Sequence, residues 1–125
     1  MKNYTVNNLG LLLLRLGFGG LMLTHGIPKF LKLISGDFTF GDPIGIGAPA
    51  SLILAVMGEM VFPILVIIGF KTRLAAIPVI LTMIIAGFIV HANDPFGVKE
   101  MSFLYLIGFS AIALLGAGKY SIDKE

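Results

Sequence analysis

The chain has 125 residues, of which 57% are hydrophobic and 13% charged, against roughly a quarter charged in an ordinary soluble domain. Four stretches of about 20 apolar residues, each enough to cross a hydrocarbon core roughly 30 Å thick, use up about two thirds of it, so residues 1–125 form one domain. Cysteine is absent, which excludes disulfides, thiolate zinc sites and Cys-ligated iron–sulfur clusters, and any redox role needs a bound cofactor. The net charge of +2 and pI of about 9.0 come from a few lysines at segment ends, which is too little for nucleic acid and fits anchoring beside a lipid bilayer.

The first apolar run predicts helix 1 over about 8–34, interrupted by Arg15. It is not a cleaved signal peptide: Lys2 is its only early positive charge and no A-x-A-type site follows. The Gly- and Pro-rich stretch from Ser35 to Pro49 cannot be regular helix, yet its Phe and Ile residues are too apolar for a solvated linker. It is expected to fold back as a partly buried cap. Helix 2, about 50–70, carries Glu59 near its middle, with Pro63 predicting a kink. Helix 3, about 72–91, has no charge from Leu74 to Val90 and ends at His91. The turn at Asn93-Asp-Pro-Phe-Gly97 places Asp94 before Pro95 like a cap and first helical position, and helix 4 follows over about 99–115.

Short connections make these spans an all-α, integral membrane, antiparallel four-helix bundle with both termini on one side. Lys2, Lys71, Arg73, Lys119 and Lys124 lie on the terminal side, against Lys29, Lys32 and Lys99 opposite. That balance predicts cytoplasmic termini in a plasma (inner) membrane.

Ionisable groups at membrane depth cost about 2.5–3.5 kcal/mol each and normally face the bundle interior. On helix 1, Arg15, Phe18, Met22, His25 and Lys29 fall within an arc of about 80°. Arg15 and Glu59 are each placed near mid-membrane, so an ion pair between them is the simplest expectation. Such a pair either fixes helix register or belongs to a proton or ligand site. His25, His91 and Glu100 share the non-cytoplasmic level, and Lys29 lies one turn beyond His25 beneath the cap. Two imidazoles, a carboxylate and an ammonium suit the binding and protonation of an oxidised headgroup such as a quinone. The bland alternative makes the histidines interfacial residues and Glu100 a first-turn acid favoured by the helix dipole.

No H-x-x-x-H or E-x-x-H spacing supports a metal site. Haem between the two histidines is chemically allowed but disfavoured, and no serine lies in a nucleophile motif. Gly17-Phe-Gly-Gly20 reads as helix packing rather than a nucleotide loop. Phe38, Phe40 and Phe96 are candidates to line a flat ligand's entrance.

Three stretches resemble the DoxX family of small four-helix membrane proteins. The first runs from Leu14 to Lys29, with Arg15, then His25-Gly, then Lys29. The second joins Glu59 to Gly69-Phe-Lys-Thr-Arg-Leu-Ala-Ala76 and His91. The third is Glu100 followed by Gly116-Ala-Gly-Lys-Tyr-Ser-Ile-Asp123. This resemblance implies a link to quinone-coupled thiosulfate oxidation or to membrane complexes with a rhodanese-like protein and a superoxide dismutase. It matches Arg15, His25, Lys29, Glu59, Arg73, His91 and Glu100 by position; Arg73 is read as a positive-inside anchor, and Tyr120, Ser121 and Asp123 as helix-ending or docking residues.

The resulting expectation is a quinone-binding subunit of a membrane oxidoreductase system in sulfur or oxidative-stress redox metabolism. His25, His91 and Glu100 are its catalytic candidates, and Arg15, His25, Lys29, Glu59 and His91 its cofactor-binding candidates. A separate soluble redox subunit supplies the hydrophilic half, and a homo-oligomer is a further possible partner. The alternative is a non-catalytic scaffold whose buried polar groups are structural. A transporter is disfavoured by the want of a mid-membrane polar group on helix 3 and of a broken-helix pair.

Overall fold

The computed structural model describes residues 3–124. Among them, four helical spans are long and apolar enough to cross a membrane. The first is α1 (Asn3–Ile34), continuous over 32 residues despite Pro28. The second comprises α2 (Ala48–Val56), a π-helical turn (Met57–Val61) and α3 (Phe62–Ile68). The third comprises α4 (Thr72–Ile85) and a second π-helical turn (Ala86–Val90), and the fourth is α5 (Phe96–Leu115). Each span packs against its chain neighbours, and α1 closes the ring against α5. This is a multi-pass membrane protein: its apolar side chains point outward, as with Leu13 at 72% and Leu114 at 80% exposure, where lipid rather than water is the solvent.

Small residues set the helix spacing. A Cβ at Gly26 would overlap the Glu59 carbonyl oxygen, one at Gly58 the Thr82 hydroxyl, and one at Gly108 the Phe18 ring. Phe18 thereby reaches Tyr105 and Phe109 edge-on, beside Met22, Val66, Val79, Met83 and Ile112 in the core.

At Pro63, where the sequence predicts a kink, the helix carries a widened turn. Proline lacks the N–H that would bond the Glu59 carbonyl, and the helix takes up an i→i−5 bond instead, from Phe62 N–H to the Met57 carbonyl. The Glu59 carbonyl then lies against Gly26. The fourth span starts earlier than expected, because Pro95 (φ −57°, ψ 152°) is the non-helical N-cap. Asp94 caps nothing there; it bonds His91 instead.

At the terminal end the last carbonyls of α3 find partners in turn, as a helix C-terminus requires. Gly69, left-handed at φ 72°, closes a Schellman motif: its N–H bonds Val66 O and that of Phe70 bonds Leu65 O. Arg15 Nη1 donates to Ile67 O at 2.8 Å, and Ile122 N–H bonds Ile68 O at 3.2 Å. The same arginine reaches Tyr120 O through Nη2 at 2.5 Å. Asp123 completes the clasp from the chain's far end, accepting from the N–H groups of Lys71 and Thr72 and from the Thr72 hydroxyl. Its side chain thus caps the N-terminus of α4 from a distant part of the same chain. Asn8 Oδ1 accepts the Lys119 N–H, so the start of α1 and the C-terminal tail meet at one end.

Candidate functional site

The expected pair between Arg15 and Glu59 does not form. Arg15 is buried at the level where α3 ends, eight residues beyond Glu59, or about 12 Å along the axis. Its charge is taken up by carbonyls at a helix C-terminus, where the macrodipole favours a cation. Depth measured from the ends of helix 1 misplaced it, because the register between α1 and the second span is fixed by Gly26 against Glu59. Arg15 therefore stands apart from Glu59 and ties the terminal clasp together.

Glu59 pairs with Lys29 instead, Nζ to Oε1 at 2.5 Å. This pair stands in a cavity of about 290 Å³ at the other end of the bundle. Ser51, Leu54, Ala55 and Glu59 form one wall, spaced as one face of a helix. Thr82, Ile85, Ala86, Val90 and His91 form another. Nine residues separate Thr82 from His91, which in an unbroken α-helix would put them about 180° apart. The π-turn at Ala86–Val90 takes one more residue into a turn, which swings His91 back by about 100° toward the cavity.

The cap forms the roof, as expected, through Phe40, Gly41, Pro43 and Ile44. Lys29 Nζ lies 5.9 Å from the Phe40 ring centre, a cation–π contact. Asp42 anchors the cap by accepting the N–H groups of Ile46 and Gly47 and the Ser51 hydroxyl. The Gly47 N–H foremost, with Ser51 and Ile46, holds the Asp42 carboxyl below the usual carboxylate range. A second tie links Asp37 to Thr39 and Lys32. At the cavity's edge, His91 Nδ1 lies 2.8 Å from Asp94 Oδ2. With Asp94 as acceptor, Nδ1 carries the proton and Nε2 is the acceptor nitrogen of the neutral ring.

Of the sequence candidates, the structure thus brings together Lys29, Glu59 and His91. It does not bring His25 or Glu100 into the cavity. His25 lies about 40° around α1 from Lys29 and meets the Tyr105 ring edge-on on the α5 side. Glu100 is exposed on the second turn of α5. Phe40 lines the cavity, whereas Phe38 is exposed and Phe96 stacks on Phe103. Thr82, Ser51 and Asp94 were missed by the sequence reading. Thr82 is the polar residue in the middle of the third span, its hydroxyl bonded to Pro78 O at 2.8 Å; Ser51 carried a signal in its helical spacing to Glu59, and Asp94 in its i,i+3 relation to His91. Among the described residues no group of three or more His, Asp and Glu is placed to hold a metal ion.

Comparison with known proteins matches residues 10–92 to the DoxX family. The chain is 31% identical over 116 residues to the Bacillus subtilis (strain 168) protein named "Putative oxidoreductase CatD", covering 92% of this chain and 85% of that protein. It is 30% identical over 123 residues to a Haemophilus influenzae protein described as uncharacterized, covering 90% and 87% of the two chains. A second such protein from that organism is 28% identical over 74 residues, covering 56% and 49%. No solved structure matches. The matched range takes in Arg15, Lys29, Glu59 and His91 alike, the clasp arginine and the three ionisable groups of the cavity, and the chain belongs to the DoxX family.

Proposed function

We propose that this chain is the quinone-binding membrane subunit of an oxidoreductase system in sulfur or oxidative-stress redox metabolism, set in the plasma (inner) membrane with cytoplasmic termini. The observation that carries the reading is the cavity beneath the cap: apolar walls, an aromatic roof residue, and polar groups confined to Lys29–Glu59, His91, Ser51 and Thr82. Its volume of about 290 Å³ is at the lower end of small-molecule sites and suits a ring headgroup. A flat ring can lie between Phe40 and Ala55, with Lys29 and His91 as the groups for its oxygens. The relative named as an oxidoreductase supports the same class of role.

A bound quinone would supply a two-electron, two-proton acceptor, with electrons from the reduced centre of a soluble redox subunit. The chain's own part is binding and proton handling. Lys29 Nζ would donate a hydrogen bond to one headgroup oxygen, while Glu59 holds the ammonium aimed into the cavity. His91 would serve the other oxygen through Nε2, which in this tautomer accepts from the hydroxyl of the reduced ring and can donate to a carbonyl oxygen only when the imidazole carries a second proton. Asp94 is a positioning residue that fixes the ring's tautomer. The apolar walls exclude water and strengthen both contacts. His25 and Glu100 have no part in this step.

Organic extraction and mass spectrometry of protein purified in mild detergent tests the proposal. Stoichiometric quinone is expected in the parent and in His25→Ala, with loss in Lys29→Met and His91→Ala. Folded protein without quinone in every sample would overturn it. The scaffold reading draws its support from the terminal clasp, where Arg15 and Asp123 serve only backbone and Thr72; loss of a co-purifying partner protein from Arg15→Met, with no quinone anywhere, would favour it.

A further inference from the structure

The second and third spans touch at one level and part above it. They pack where α3 and the Met57–Val61 turn meet α4, and Gly58 leaves room there for the Thr82 hydroxyl. Toward the cap, α2 makes no extensive contact with α4 or with the Ala86–Val90 turn. Each span carries a π-turn of five residues, Met57–Val61 and Ala86–Val90, a feature at which helices commonly bend. The cavity occupies the resulting gap. Its most buried members include two polar ones, Glu59 at 5% and Ser51 at 6% exposure, with Ala55 beside them at 9%. Its outer members are apolar and open: Leu54 is 51% exposed and Val90 53%, with Ile44 of the cap at 44%. On membrane-spanning helices such side chains face hydrocarbon, so this rim runs unbroken into the lipid-facing surface.

The geometry points to a lateral portal between α2 and the Ala86–Val90 turn, with Leu54 and Val90 as its doorposts, through which a lipid-borne quinone inserts its ring while its single apolar tail stays in the bilayer. The inference rests on the quinone reading for the ring and on the parted spans for the tail. Passage through the gap leaves the tail among apolar side chains and lipid, which are equally hydrophobic. The portal therefore adds no affinity for a tail; it makes the site tolerate one. A cavity closed on the bilayer side would reject the same tail by steric clash. The cap, held by Asp42 to Ser51 and to the N-terminus of α2, stays shut during such access from the side.

The chain contains no tryptophan, so Phe40→Trp is a single fluorescent reporter inside the cavity. The experiment measures saturable quenching of this reporter in lipid nanodiscs by decyl-ubiquinone and by the tail-less parent ring, with concentrations expressed per lipid. Leu54→Phe and Val90→Phe, each made in the reporter background, narrow the portal, and Leu13→Phe on the lipid face is the control. The two quinones are expected to bind the reporter protein within about threefold, and either narrowing variant to weaken the tailed one about tenfold, about 1.4 kcal/mol, while sparing the tail-less ring. A site that takes only the tail-less ring, or narrowing variants that leave the two quinones equal, would overturn the portal and leave the quinone reading standing. If neither quinone quenches, the quinone reading falls, and a brominated lysophospholipid decides the portal: quenching lost in both narrowing variants but kept in Leu13→Phe supports it, and any other pattern refutes it.

Discussion

Removing Lys29 tests whether the pair with Glu59 organises the cavity. At 2.5 Å, two unit charges in a medium of effective dielectric about 20 attract by roughly 6–7 kcal/mol, most of which desolvation offsets. Breaking a buried pair from one side typically costs about 3–5 kcal/mol. Here the two partners are not buried alike: the Glu59 side chain is 7% exposed and that of Lys29 is 31%. Screening on the lysine side brings the expected loss for Lys29→Met to about 2–3 kcal/mol. Glu59→Gln should cost less, about 1 kcal/mol, because a freed lysine can extend toward the cap surface whereas a freed glutamate cannot leave the helix interior. The double variant should resemble Glu59→Gln alone, a coupling of about 2–3 kcal/mol. Reversible unfolding in mixed micelles, followed by circular dichroism, measures all four forms. Additive losses, or a Lys29→Met variant no weaker than Glu59→Gln, would refute the pairing and with it the assignment of these two residues to one site.

Arg15→Met is expected to lose about 1–2 kcal/mol, since two charge-assisted hydrogen bonds of about 1.5–3 kcal/mol each go together with the arginine's own insertion cost of about 2.5–3.5 kcal/mol; limited trypsin digestion should show faster cleavage after Lys119, and an unchanged rate would contradict the clasp. Asp123→Ala should cost about 0.5–2 kcal/mol as a lost N-cap, read from the same unfolding curves. Burial works to raise the Asp123 carboxyl, but the Thr72 and Lys71 donors and the Arg15 charge outweigh it and hold the carboxyl below its ordinary value; its contribution is thus complete above about pH 4 and fades as pH falls further, so the tail should become protease-sensitive in acid in the parent but show no such pH dependence in Asp123→Ala. Gly26→Val drives a side chain into the Glu59 backbone and should cost about 3 kcal/mol or prevent folding, whereas Gly20→Ala, with open space around it, should be neutral or stabilising by up to about 1 kcal/mol; equal effects at the two glycines would show that α1 does not approach the second span as described.

What hydropathy can report, it reported: four spans, their order, and a cap too apolar to be a free loop. The polar residues were also legible as a set, because each costs enough in a membrane to need a reason. Their partners were not, since pairing depends on two quantities that one sequence does not carry. The first is register along the helices. Arg15 and Lys29 are 14 positions apart, about 21 Å, and which of them meets Glu59 is decided by where Gly26 lets two backbones touch. The second is rotation. His25 and Lys29 differ by about 40°, enough to send one toward Tyr105 on α5 and the other into the cavity. His91 reaches that cavity through a π-turn, and Pro63 hinted at only one of the two such turns. Asp123 capping α4 lay further out of reach, because it joins residues 51 positions apart.

The two ends of the bundle also differ in what their polar groups are for, and the difference lies in the partners rather than in the residue types. At the terminal end, Arg15 and Asp123 spend their hydrogen bonds on backbone groups that helix ends and a left-handed turn leave open. Any residue of similar shape and charge that satisfied those groups would serve. At the cap end, Glu59 and Asp94 hold Lys29 and His91 in place, while His91 Nε2 makes no hydrogen bond among the described residues. A held imidazole with an acceptor nitrogen at the edge of an apolar cavity contributes nothing to packing that an alanine and a methionine could not. The arginine is therefore expected to show its effect in stability and tail protection, and His91 in what the cavity binds.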